Sequence, residues 1–261
     1  MNFLLIAMFG LMGSDVPPAG AAPGAAQDVD GILTRLEERG NGIKDLRCKV
    51  EYTIEDKINL DELTKHGSIS FKRAEPHEMF LIHFEKTVQG GVGPKGRREW
   101  YLFKDRWLWE VKEATKTIIK REYVHPGEKV DLFDLDSAPF PIPFGQKKDQ
   151  ILKNFEVKLV PPSGGDPEGT DHLLCMPKPG VALSKDYEKL EFYVSRELHL
   201  PVKVVATELG GKKVTTAVFP DLGKDSINAG LSDKDFAEPG EWKKYATDEE
   251  PLPKKQPEPG N

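Results

Sequence analysis

Apolar and polar residues alternate in five short runs between Gly67 and Val124, at residues 67–73, 78–86, 98–105, 106–113 and 117–124. In a β-strand successive side chains point to opposite faces, so each run has one face of its own. The alternation predicts that Ile69, Phe71, Phe80, Ile82, Phe84, Trp100, Leu102, Trp107, Trp109 and Val111 share a face. The opposite face collects Ser, Lys, Arg, Glu and His, with Leu81, Tyr101, Phe103 and Leu108 as exceptions. Runs in such close succession predict an antiparallel meander, and a meander with an apolar face needs a cover.

Residues 27–40 have a helical period instead. Val29, Ile32, Leu33 and Leu36 fall on one side, with Arg35, Glu37, Glu38 and Arg39 outside. Asp28 suits the N-cap, and Gly40-Asn41-Gly42 ends the helix. Alternation of Leu46, Cys48, Val50, Tyr52 and Ile54 then predicts a long first strand, and 59–65 reads as a polar connection. Past His125 the pattern breaks. Residues 126–136 read as a short helix or turn carrying Val130, Leu132, Phe133 and Leu135. Pro139, Pro141 and Pro143 exclude a helix interior or a central strand, so the segment holding Phe140, Ile142 and Phe144 is an extended loop. Residues 147–155 form a short helix with Ile151 and Leu152 inward. Strands resume at 155–160, 172–176, 187–195, 200–209 and 212–219, with Gly210-Gly211 as a tight hairpin. Leu190, Phe192 and Val194 continue the apolar face. Residues 247–261 are rich in Pro, Glu and Lys and read as a disordered tail. The sum is one α+β domain, mainly β with helices, over 22–246: a single curved antiparallel sheet of about ten or eleven strands.

Composition adds three points. The net charge of -6 comes with acids and bases mixed throughout, and without a basic stripe nucleic acid is not the expected partner. Residues 3–12 are apolar over the length of a signal-peptide core, too short to span a bilayer. No Lys or Arg precedes them, and Ala19-Gly20-Ala21 fits small-x-small cleavage; the expectation is a signal peptide at 1–21 and export to the periplasm. Cys48 and Cys175 each lie in an apolar strand pattern, which favours two buried thiols over a disulfide.

Catalytic chemistry has no signature. The six histidines are scattered, without metal-ligand spacing. Gly-x-Ser-x-Gly, His-Glu-x-x-His and Cys-x-x-Cys are absent. The loop at 90–96 lacks the Gly-Lys-Ser/Thr ending of a phosphate loop, and Asp131, Asp134 and Asp136 lack the glycine and closing glutamate of a calcium loop. No cofactor, metal or enzymatic activity is expected. The aromatic face reads either as plain core or as the lining of a cavity for an apolar ligand.

The order of elements resembles a known family. An apolar leader precedes one helix, a long strand and Gly67-Ser-Ile-Ser-Phe-Lys-Arg73; a Trp/Leu-rich hairpin follows at 100–111. Near the end come Leu231-Ser-Asp-Lys-Asp-Phe236, Pro239 and Trp242. Over 29–245 this resembles the LolA-like periplasmic lipoprotein carriers, related in fold to LolB, to lipid-carrying mycobacterial lipoproteins and to the sensor RseB. The family's Arg-Pro pair is replaced here by Arg73-Ala74-Glu75-Pro76. The resemblance implies an open half-barrel closed by a helical or loop lid, with 130–144 in the lid. It implies a non-catalytic monomer that shields lipoprotein or lipid acyl chains and touches membrane-bound partners transiently. The lining would be Phe71, Phe80, Ile82, Phe84, Trp100, Leu102, Trp107, Trp109, Leu132, Phe133, Phe140, Phe144, Leu190 and Phe192. The alternative is an envelope sensor or protein-interaction module on the same fold.

Overall fold

The computed structural model describes residues 23–75, 78–90, 93, 98–128 and 143–253. Helix α1 (Pro23–Asn41) leads into β1 (Asp45–Asp56), β2 (Asp61–Lys72), β3 (Met79–Gln89), β4 (Glu99–Lys104), β5 (Trp107–Lys112) and β6 (Thr117–Glu122). After α2 (Lys148–Asn154) come β7 (Phe155–Val160), β8 (Thr170–Pro177), β9 (Tyr187–Ser195), β10 (Pro201–Glu208), β11 (Lys213–Val218) and β12 (Ala246–Glu250). All twelve strands form one sheet in the order β12-β6-β5-β4-β3-β2-β1-β11-β10-β9-β8-β7. Neighbours are antiparallel except β12 beside β6. The end strands β12 and β7 do not pair with each other, so the sheet is open, as an open half-barrel requires.

The five alternating runs become β2–β6. The second strand starts earlier than its apolar pattern, at Asp61, because 61–65 pairs with β1 in unbroken register from Asp56↔Asp61 to Tyr52↔Lys65. The polar connection read at 59–65 is thus only a tight tip. At the other end, Thr247–Glu250, read as the start of a tail, run in β12.

The Gly67–Arg73 run does three jobs. Gly67 sits at a register shift in the β2–β3 ladder, where a Cβ would collide with the backbone of His83 and Phe84. Ile69 and Phe71 enter the core. Arg73 then turns back to the end of α1, where Nε donates to Ile43 O at 2.7 Å and a terminal nitrogen to Gly40 O at 3.2 Å. Those carbonyls lie just where a helix runs out of internal donors, so the strand clamps the helix end.

Call the face that carries α1 the inner face. Val29, Ile32, Leu33 and Leu36 pack there on Phe155, Leu173, Cys175 and Val194, with Ile151 of α2. Beyond them the same face continues into a second cluster around Leu46, Phe71, Phe80, Phe84, Tyr101 and Phe103. Ile43, Phe144, Leu198, Leu200 and Ile227 pack into that cluster from outside the strands. A third cluster lies on the outer face of β3–β6, where Met79, Trp100, Leu102, Trp109, Val111 and Ile118 are covered by Phe236 and Trp242. Those two come from 3-10 turns (Asp233–Phe236 and Gly240–Lys244) of the C-terminal segment, which straps the back of the sheet. Cys48 and Cys175 are both free and buried, and burial pushes each thiol up to about 12.

Candidate binding trough

Cross-strand register fixes which side chains stand in one row. Leu173 faces Phe192, Phe192 faces Val204, Val204 faces Ala217, Ala217 faces Tyr52 and Tyr52 faces Lys65. One step along, Leu190, Ala206, Thr215, Ile54 and Leu63 form a second row. Both rows lie on the inner face, between the cluster under α1 and the cluster of β1–β5. From Leu190 and Phe192 across to Tyr52 and Ile54 every one of these side chains is only half-buried. The reason is size. Ala206, Thr215 and Ala217 are short, whereas Phe192 and Leu190 on one side and Tyr52, Phe84 and Tyr101 on the other are tall. Small residues between large ones leave a trough with an apolar floor.

The two walls differ. Beside Phe192 an apolar cavity of about 20 Å³ lies under α1, lined among others by Leu33, Leu36, Ile151, Leu173 and Cys175. It holds about one water molecule's volume and would have to widen to admit a chain. The opposite wall is aromatic and polar. Tyr52 and Tyr101 flank Phe84, with ring centroids 5.9 and 6.3 Å from it. Lys65, 1 % exposed, places its ammonium 2.7 Å from Glu99 Oε2 and 5.4 Å from the Phe84 centroid. The Tyr101 hydroxyl donates to the same carboxylate oxygen at 3.1 Å. Burial, with the Glu99 charge beside Tyr101, pushes the Tyr52 and Tyr101 phenols above their ordinary range, so both stay neutral. A buried ammonium is tolerable only with such a partner, and the pair marks the point where the apolar floor ends.

The predicted lining divides in two. Phe71, Phe80, Ile82 and Phe84 are on the inner face, as are Leu190, Phe192 and Phe144, the last packed on Phe219 with centroids 4.8 Å apart. Trp100, Leu102, Trp107 and Trp109 are on the outer face, so the expectation that they share a side with Phe71, Phe80, Ile82 and Phe84 does not hold. The cause is register. Phe80 stands opposite Phe103 and Leu81 opposite Leu102, which turns Tyr101 and Phe103 inward and Trp100 and Leu102 outward. A one-residue shift between strands exchanges every face. The apparent exceptions Tyr101, Phe103 and Leu108 are the inner residues of β4 and β5. Leu132, Phe133 and Phe140 lie outside the described residues. Reasoning from large apolar residues missed Ala206, Thr215 and Ala217, whose signal was their smallness within otherwise bulky strands.

The outer-face tryptophans are held by cations and rings. Trp100 stacks on His83 at 4.9 Å, meets the Trp242 edge at 5.8 Å and lies under Arg98 at 5.1 Å. Lys120 sits 4.4 Å from the Trp107 centroid and 5.6 Å from that of Trp109. Burial and the Arg98 charge lower the pKa of His83, which keeps its ring neutral against Trp100.

No protein-family model matches this chain, and no curated protein does. Among solved structures it is similar to an uncharacterized conserved protein from Thermus thermophilus, at 12% identity and TM-score 0.48, over 85% of this chain and 99% of that one. It is similar to MucB in the Pseudomonas aeruginosa MucA/MucB complex, at 14% identity and TM-score 0.44, over 82% and 62% of the two chains. It is also similar to a LolA superfamily protein from Nitrosomonas europaea, at 13% identity and TM-score 0.36, over 82% and 98%. The family that the sequence resembles is thus represented among these structures, at scores that say nothing of what this chain binds.

Proposed function

We propose that this chain is an exported, non-catalytic binding protein that holds an apolar chain, of the kind carried by a lipid or a lipoprotein, in the trough across β9, β10, β11 and β1. One observation carries the reading: in the middle of the apolar inner face, Phe192, Leu190, Val204, Ala206, Ala217 and Tyr52 form a contiguous patch that stays half-buried. Each methylene taken from water there contributes about 0.8 kcal/mol, so even a short chain gains useful affinity. Export rests on the apolar leader at 3–12 and the Ala19-Gly20-Ala21 site. In this reading 1–21 is a cleaved signal peptide and the carrier is periplasmic.

The test is binding of an environment-sensitive fatty probe to the mature chain, with Ala217→Phe as the control. Phenylalanine at that position fills the floor of the trough between Val204 and Tyr52. The expected outcome is loss of probe binding with an unchanged circular dichroism spectrum. Equal binding by both proteins would place the ligand elsewhere. Mass spectrometry of lipid carried through purification identifies the natural cargo.

A second reading is a protein-interaction module. Strand β7 has no further neighbour in the sheet among the described residues, and an extended peptide adding to that edge is a recurrent mode of recognition. A protein partner whose capture is indifferent to Ala217→Phe, with no co-purified lipid, would favour it.

A further inference from the structure

The two end strands of the sheet differ in chemistry. At one end β12 is exposed throughout and carries Asp248, Glu249 and Glu250 in succession, so a second copy centred on them would set acid against acid. At the other end β7 has no neighbour beyond β8 among the described residues. Exposed edges are commonly blunted by proline, by a bulge or by a charge pointing into the core. Residues 155–160 contain no proline, and their register with β8 runs without a bulge. Their two charged side chains, Glu156 and Lys158, point away from the inner face that Phe155, Val157 and Leu159 occupy.

The backbone phase of this edge follows from its first residues. Asn154 O accepts from Lys178 N at 2.8 Å, and Phe155 stands opposite Pro177, which has no N–H to exchange. Antiparallel bonding alternates from residue to residue, so 156, 158 and 160 bond to β8 while 155, 157 and 159 turn their backbone outward. The Phe155 N–H is donated to Ile151 O. The Phe155 carbonyl and both backbone groups of Val157 and Leu159 form an open ladder. Helix α1 packs on side chains of β7, β8 and β9 from the inner face, so it lies over the sheet and not in the plane of this edge.

Charge then chooses a register. Two copies that join edge to edge with their inner faces on one side must pair residues of equal parity. Centring on Glu156 sets glutamate against glutamate, and centring on Lys158 sets lysine against lysine. Centring on Val157, which overlaps the strand most fully, sets Glu156 against Lys158 of the partner subunit, twice by symmetry, and Phe155 against the partner's Leu159. Lys153, the other ionisable side chain of residues 153–162, falls opposite the partner's Pro161. Behind Glu156 and Lys158 on β8 stand Met176 and Leu174, which carry no charge. Leu152 of α2 adds an apolar contact. Its helical spacing predicts an inward side chain, yet it is 37% exposed, and in this register it meets the partner's Pro162.

We infer that two copies of this chain join along β7, antiparallel about Val157, into one continuous sheet. This departs from the monomer that the resemblance implies. It stands independently of the trough, and it closes the edge that the interaction-module reading leaves open to a peptide.

The experiment is sedimentation equilibrium of the mature chain. A single short strand makes a modest interface, so the dimer is expected at micromolar concentrations. Glu156→Lys alone faces lysine with lysine across the axis, and Lys158→Glu alone faces glutamate with glutamate. Each should weaken the dimer about a hundredfold, about tenfold for each of the two symmetric contacts. Mixing the two variants in equal amounts brings opposite charges together again and should restore a dimer of one copy of each. Val157→Pro removes only an outward-facing N–H, so it should give a monomer whose circular dichroism spectrum matches wild type. A wild type that is monomeric throughout, as an edge kept for another protein would be, overturns the inference. So does a mixture of the two charge variants that stays monomeric, or a wild-type dimer that all three substitutions leave intact.

Discussion

The two flanks of the inner face invite comparison. Around β3–β6 the sheet is apolar on both sides and closed on both, by Ile43 and Phe144 within and by Phe236 and Trp242 behind. Around β9–β11 and β1 it is apolar on the inner side and half open. The closed flank has nearly all the tryptophan; the open flank has the alanines. Aromatic density therefore marks where the sheet is thick with core. The open floor is marked by a change from large to small side chains within a row.

The largest effect expected from breaking this contrast is in the closed flank. Phe80 is fully buried and stacked on Phe103 at 5.9 Å, so Phe80→Ala should cost about 3–5 kcal/mol in urea unfolding. Next comes the polar wall. Glu99→Gln removes the carboxylate charge 2.7 Å from the buried Lys65 ammonium, and should cost about 3 kcal/mol by the same measurement. Replacing the pair together, Lys65→Met with Glu99→Gln, should recover most of that loss. In the open flank the effect moves from stability to binding. Phe192→Ala should cost about 1 kcal/mol in stability, because the ring is half-buried, and should weaken fatty-probe binding by more than that. Equal stability losses for Phe80→Ala and Phe192→Ala would erase the distinction between the flanks.

The smallest effect concerns the strap behind the closed flank. Asp235 accepts from the Ser232 backbone and hydroxyl at 2.8 and 2.9 Å and from Arg47 at 2.8 Å. These donors hold its carboxyl down at about 2. A folded value below the unfolded one means stability that is present above the ordinary carboxylate range and lost as pH falls through about 2. Asp235→Asn should therefore unfold more easily than wild type at neutral pH. The difference should shrink between about pH 4 and pH 2, in thermal scans across that window.

Much of the fold was legible because the apolar spacing belongs to single elements. Val29, Ile32, Leu33 and Leu36 announce α1, and β7 and β9 begin and end where alternation does. What alternation cannot carry is the phase between neighbours. In β4 the sequence Trp100-Tyr101-Leu102-Phe103 is apolar at every position, and only its partner in β3 decides which residues face inward. Strand β12 had no apolar signal at all. It is placed by the ladder from Ala246↔Thr117 to Glu250↔Arg121, with Lys120 meeting Glu249 at 2.8 Å and Arg121 meeting Glu250 at 2.5 Å, contacts between residues far apart in the chain. The trough was illegible for a similar reason: Ala206 and Ala217 look unremarkable until the β10–β11 register places them diagonally on one face.

The C-terminal strap bears on how the molecule is made. Trp100, Leu102, Trp109 and Val111 are finished before residue 112, yet the groups that shield them, Phe236 and Trp242, come near the end of the chain. The inner edge of β1 waits just as long, for β11. A nascent chain thus carries a naked aromatic surface and an unpaired strand edge through most of its synthesis, the combination most prone to aggregate. Pairings of such long range also close slowly. A truncation before Leu231 would keep eleven of the twelve strands and still lose the outer cover, so it should yield an aggregating product in place of a smaller working domain.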